Sequence, residues 1–169
     1  MPVRSRTMPE EPQIQWRTVL ELHKPYLALT LKTTEVKGKR YVIVFADDFS
    51  EWKEFAIYTA TDEKIEEIVR KIQALVEKAE DDPQYDPVPE IAAMIAELID
   101  TFIIGEIPEE AGICSEDEYV AYPEEDERLN WPLCYDPSAV QHLQVLERYN
   151  LLPEEWVPHV QKVLAGTSA

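Results

Sequence analysis

From Ile14 to Thr59 apolar and polar residues alternate in short runs, whereas beyond Thr61 apolar residues recur every three to four positions. The first pattern belongs to half-buried β strands, whose successive side chains point to opposite faces, and the second to amphipathic helices. Trp16, Thr18, Leu20 and Leu22 fall on one face of a first strand, ahead of Pro25. Leu27, Leu29 and Leu31 fall on one face of a second, within Tyr26–Thr34. Val36 to Arg40 supplies a turn around Gly38, and Tyr41–Ala46 is apolar throughout, as an inner strand covered on both faces would be. Asp47-Asp48-Phe49-Ser50 predicts a second turn, after which Glu51–Thr59 mixes Trp52, Ala56 and Tyr58 with charges. Three or four antiparallel strands with short connections account for this stretch.

The clearest helix follows. Thr61 is placed to cap it, Asp62 and Glu63 suit its positive end, and Ile65, Ile68, Val69, Ile72, Leu75 and Val76 form one stripe. A Pro-rich connector (81–89) leads to a second helix opened by Pro89-Glu90, with Ile91, Met94, Ile95, Leu98, Ile99 and Phe102 on its apolar face and Gly105 as its stop. Residues 106–135 read as loop with one short strand around Tyr119. Asp136-Pro137 is a good start for a helix over Ser138–Asn150, and Pro153-Glu154-Glu155 starts a last helix whose first turn Pro158 separates from the remainder. The expected fold is α+β: an N-terminal antiparallel sheet of three to four strands with a packed helix, followed by a mainly helical acidic half. The expected organisation is a loose arm (1–13), a sheet-plus-helix unit (14–80), the connector (81–89) and the acidic half (90–169), which can share one domain with the sheet unit.

Charge changes this picture most. The 169-residue chain has a net charge of −18. Residues 1–80 carry 13 Lys+Arg against 14 Asp+Glu, and residues 81–169 carry 3 against 20, a net of −17. Ten acids fall between Glu106 and Glu127 without one Lys or Arg. Hydrophobic residues at 45% and charged residues at 30% suit a soluble globular chain. No apolar run approaches the ~20 residues needed to span a bilayer, and the first 30 residues show no signal-peptide pattern. With Cys114 and Cys134 as its only cysteines, the chain is expected to lack a disulfide and to be cytoplasmic, or in a host's cytoplasm if viral.

Catalytic signatures are few. The chain has no G-x-S-x-G elbow, Walker A loop, G-x-G-x-x-G turn or H-E-x-x-H pair, and only four glycines with which to cradle a phosphate. Cys114, Cys134, His142 and His159 are spaced too widely for a structural zinc site, and the loop from Asp81 lacks the Gly and Glu of a calcium-binding EF-hand. Asp47 and Asp48 are better read as turn residues than as metal ligands. No cofactor, metal or catalytic residue is therefore assigned, and the chain is read as a non-enzyme. Lys32, Lys37, Lys39, Arg40 and Lys53 lie among Trp16, Tyr26, Tyr41 and Trp52, the mixture used by single-stranded nucleic-acid binders. The acidic half disfavours direct contact with a phosphate backbone, and sheet packing explains these aromatics.

An acidic segment interleaved with tyrosines can speed association with a basic groove and occupy it in place of a phosphate backbone. The expected contact residues are Glu106, Glu109, Glu110, Glu116, Asp117, Glu118, Tyr119, Tyr122, Glu124, Glu125, Asp126, Glu127 and Trp131. In composition alone the chain resembles phage anti-defence proteins, nucleic-acid mimics and toxin-immunity proteins. The expected function is to bind and block a basic, nucleic-acid-binding protein. A single-stranded nucleic-acid binder acting through the sheet, and a virion or assembly subunit, are the rival readings.

Overall fold

The computed structural model describes residues 14–50, 52–98, 100–106, 119–121 and 133–168. Four antiparallel strands form first: β1 (Arg17–Lys24), β2 (Leu27–Val36), β3 (Lys39–Asp47) and β4 (Lys53–Thr59). Helices α1 (Asp62–Asp81) and α2 (Val88–Leu98) follow, then β5 (Thr101–Glu106), β6 (Tyr119–Ala121) and β7 (Leu133–Tyr135). A 3₁₀ turn (Pro137–Ala139) leads into α3 (Val140–Arg148), and another (Glu154–Trp156) into α4 (Val157–Ser168). The described strands make one seven-stranded sheet in the order β1-β2-β3-β4-β5-β7-β6, with every neighbouring pair antiparallel.

The α+β class and the antiparallel sheet match the sequence reading, but the sheet is larger than expected, because β5, β6 and β7 join it from the second half. Apolar periodicity carried the expected second helix through Phe102. It ends at Leu98, and Phe102-Ile103-Ile104 continue as strand β5 beside β4. β-branched residues and a pairing partner distant in sequence override the local helical spacing. Gly105, expected as a helix stop, lies within β5 opposite Ala56, where a Cβ would stand 2.6 Å from the Ala56 Cβ. Only glycine lets the two backbones approach so closely.

Each face of the sheet has its own core. Leu27, Leu29 and Leu31 of β2 with Val42, Val44 and Ala46 of β3 meet α1 through Ile65, Ile68, Ile72 and Val76, and α2 through Ile91, Ile95 and Leu98. On the opposite face Tyr41, Ile57, Ile103, Ile104, Leu133 and Tyr135 meet Leu143 and Leu146 of α3, together with Trp156 and Val160. The result is a sheet between two helical layers, which draws its strands from both sides of the 81–89 connector. Expected caps are present: Thr61 accepts a hydrogen bond from the Lys64 backbone N–H at 3.3 Å, and Asp136 accepts one from that of Ser138 at 2.9 Å. Both satisfy amide donors that the first helical turn leaves open.

Two strand details depart from simple alternation. A bulge between Thr18 and Leu20 shifts the register of β1, so Trp16 packs with the α3/α4 core while Leu20 and Leu22 pack with the α1/α2 core. One extra residue reverses the facing of everything before it. β3 is covered on both faces only near its start, since Tyr41 is 2% exposed but Phe45 is 47% exposed. Cys134 is buried on β7 and disulfide-bonded, which corrects the expectation of unpaired cysteines. Disulfides persist in oxidising surroundings, so cysteine usage gives no argument for a reducing compartment. Among the described residues no helix is long and apolar enough to cross a membrane.

Candidate functional site

The acidic residues expected to meet a partner lie almost wholly outside the described residues. That holds for Glu109, Glu110, Glu116, Asp117, Glu118, Tyr122, Glu124, Glu125, Asp126, Glu127 and Trp131. Tyr119 opens strand β6, whose backbone pairs with β7 at the edge of the sheet. Glu106 is a different case. It is 3% exposed, and its Oε1 accepts a hydrogen bond of 2.7 Å from the Trp156 indole N–H. Its carboxylate therefore faces the interior and corrects the expectation of a surface contact at this position. Sequence spacing groups Glu106 with the acids that follow it, whereas β5 places it between the sheet and the second 3₁₀ turn.

The carboxylates that sequence reading weighed as metal ligands are engaged in the β3–β4 turn. Asp47 Oδ1 accepts from the Phe49 N–H at 2.7 Å, and Asp48 Oδ1 accepts from the N–H groups of Ser50 and Trp52, each at 2.8 Å. These side-chain-to-backbone bonds are the reason Asp suits such turns. They also hold Phe49 at a φ of 64° and 60% exposed. Among the described residues no three His, Cys, Asp or Glu side chains gather as a metal site. His142 contacts the Tyr41 hydroxyl through Nδ1 at 2.9 Å, and burial together with nearby Lys39 pushes its pKa below the ordinary 6.5.

Glu54 is a carboxyl whose pKa is displaced by burial. Burial raises its pKa above the ordinary 4.5, although the Tyr58 hydroxyl and the Trp52 indole N–H both donate to it and partly oppose the rise.

The basic and aromatic residues of the sheet separate into different environments. Tyr41 is buried, and Arg40 is paired with Asp62 at 2.7 Å and Glu35 at 2.9 Å. Trp16 donates its indole N–H to the Leu151 carbonyl at 2.7 Å. That carbonyl is presented by the turn after α3, where Asn150 takes a φ of 59° and the Leu151 N–H bonds back to the Leu146 carbonyl at 2.9 Å. A left-handed residue with this return bond is a Schellman-type helix stop. Between the turn and the uncovered part of the sheet runs a groove of about 360 Å³, walled by Trp16, Ile43, Phe45, Phe55 and Leu152, with Lys32 at its side. Phe45 and Phe55 meet edge to face with centroids 5.5 Å apart. Sequence reading named Trp16 and Lys32 but missed Phe45, Phe55 and the α3–α4 turn, because strand register alone brings them together.

A second groove, of about 380 Å³, lies between α1 and the β1–β3 side of the sheet and is lined by Arg17, Arg40 and Arg70. Comparison of the chain with protein-family models, with curated proteins and with solved structures finds no match.

Proposed function

We propose that this protein is a non-enzymatic interaction protein that binds and blocks a basic, nucleic-acid-binding protein, in the manner of an anti-defence or immunity inhibitor. The observation that carries the reading is the separation of charge, −1 over residues 1–80 against −17 over residues 81–169. Same-sign charge concentrated in one segment raises the free energy of the compact chain by self-repulsion, and solubility needs only a modest, scattered excess. A basic partner removes that repulsion and gains steering from it. Glu109, Glu110, Glu116, Asp117, Glu118, Glu124, Glu125, Asp126 and Glu127 form the contact, with Tyr119, Tyr122 and Trp131 adding area at low entropic cost. Glu106 serves the core instead. The engagement of Asp47 and Asp48 in their own turn is in keeping with a binding role.

The test replaces Glu116, Asp117, Glu124 and Asp126 by Lys and compares affinity capture by the wild-type and reversed chains. The inhibitor reading expects one basic protein to be retained by the wild type and lost from the variant. Equal retention by both removes the acidic segment from the contact.

A second reading, single-stranded nucleic acid held on the uncovered sheet, is favoured by one observation: Phe45 is 47% exposed beside Phe55, Trp16 and Lys32. Aromatic faces near cations are the usual means of holding unpaired bases. That reading expects the four reversals to leave oligonucleotide binding unchanged or stronger, and a Phe45→Ala change to abolish it.

A further inference from the structure

We propose that the groove between α1 and the β1–β3 side of the sheet is a binding site for a small organic anion, one carrying a phosphate or carboxylate head on an apolar body. None of the described lining residues belongs to the acidic segment, and the proposal does not rest on that segment. Its arginines come from three elements: Arg17 opens β1, Arg40 lies near the start of β3, and Arg70 stands on α1. Four arginines fall within the described residues of this strongly acidic chain, and three of them line this one concavity. A scattered surface distribution offers no reason for such convergence.

The groove has the layout of a small-molecule site. Its volume of about 380 Å³ falls within the range such sites occupy. Val19, Ile65 and Val69 give it an apolar wall, with Ile65 buried in the core beneath. Arg40 is fixed in place by Asp62 and Glu35. The Arg40 hydrogen bond, the largest cause, also holds the Asp62 carboxyl below its ordinary pKa. Asp62 thus stays ionised and, with Glu35, offsets the charge of Arg40, which leaves Arg17 and Arg70 to meet an anion. Among the described residues no ion pair uses Arg17 or Arg70, so both guanidinium groups are available. Planar guanidinium forks match the oxygen spacing of phosphate and carboxylate, and the two available ones beside an apolar wall select a head and a body together. Glu66 is the one lining acid not tied to an arginine, and it weakens the attraction for any anion.

The experiment is an amide-resolved NMR titration of the full chain with phenyl phosphate, benzoate and inorganic phosphate, each to about 10 mM, a range that captures weak sites. The proposal expects phenyl phosphate or benzoate to saturate shifts at Val19, Ile65, Val69 and Arg70, with inorganic phosphate binding more weakly. Arg17→Ala and Arg70→Ala should each reduce affinity about fivefold or more, since charge-assisted contacts are lost. Glu66→Gln should raise affinity about twofold by removing a repelling charge. A tighter-binding variant cannot be explained by loss of folding. Absence of saturable shifts with both organic probes overturns the proposal, as does binding that survives both arginine changes. Equal affinity for inorganic and phenyl phosphate would remove the apolar body from it.

Discussion

Replacing Gly105 by Ala tests the central packing of the sheet. The added Cβ would lie 2.6 Å from the Ala56 Cβ, 2.9 Å from the Phe55 carbonyl oxygen and 3.0 Å from the Ala56 Cα. Two of these three atoms are backbone and the third is fixed to it, so no flexible side chain can yield. Strands β4 and β5 must separate, and Gly105 also pairs with Cys134 of β7. Overpacking in cores costs about 1–3 kcal/mol, and rigid neighbours place this change in the upper half of that range, about 2–3 kcal/mol. For a chain of this size that lowers Tm by about 5–10 °C. Trp156 is fully buried and packs on Phe55 with ring centroids 4.8 Å apart, so its fluorescence follows the same region in urea or heat. Ala56→Gly in the same chain should recover part of the loss, giving a coupling of about 1 kcal/mol or more in a double-mutant cycle. The recovery is incomplete because the Phe55 carbonyl remains at 2.9 Å. An unchanged Tm in Gly105→Ala, or no coupling with Ala56→Gly, would refute the β4–β5 register.

Other changes probe single features. Gly166→Ala in α4, where nothing lies within 4 Å of the new Cβ, should stabilise by about 0.5 kcal/mol, while Gly38→Ala, equally open but at a φ of 81°, should destabilise by about 1 kcal/mol; thermal melts distinguish the signs. Thr59→Val removes a buried hydroxyl that has no hydrogen-bond partner among the described residues, and denaturant unfolding should show a stabilisation of about 1 kcal/mol. Because burial raises the Glu54 pKa, the folded state holds its proton longer than the unfolded state, so the contribution is full below about pH 4.5 and is lost as pH rises through the folded pKa. Glu54→Gln should flatten that limb of the stability–pH curve, and an unchanged difference from wild type across the window would contradict it.

Much of the fold is written in local pattern. Leu27, Leu29 and Leu31 alternate and are all fully buried, and α1 buries Ile65, Ile68, Ile72 and Val76 from the stripe that its spacing predicts. The Asp136 cap and the separate first turn of the last helix are equally local. The short strand expected around Tyr119 is β6, whereas β5 and β7 have no local signal. β7 has three residues, too few to show a period, and β5 is specified by its pairing with a strand more than 40 positions earlier. Trp16 faces opposite to its apparent alternation because of one bulge. The candidate sites divide in the same way. Charge separation is visible in the sequence, whereas the three-arginine groove exists only once β1, β3 and α1 are assembled, and the burial of Glu106 follows from a tryptophan fifty residues later.

The central functional claim is electrostatic capture of a basic partner by the acidic segment. Its most direct measurement is the association rate with the captured partner across salt concentrations from about 0.01 M to 1 M, over which the screening length falls from about 30 Å to 3 Å. Steered association should slow by a factor of about ten or more across that range, and the Lys variant at Glu116, Asp117, Glu124 and Asp126 should fail to associate at every salt concentration. An association rate that stays flat from low to high salt, with binding that survives the four reversals, would contradict it.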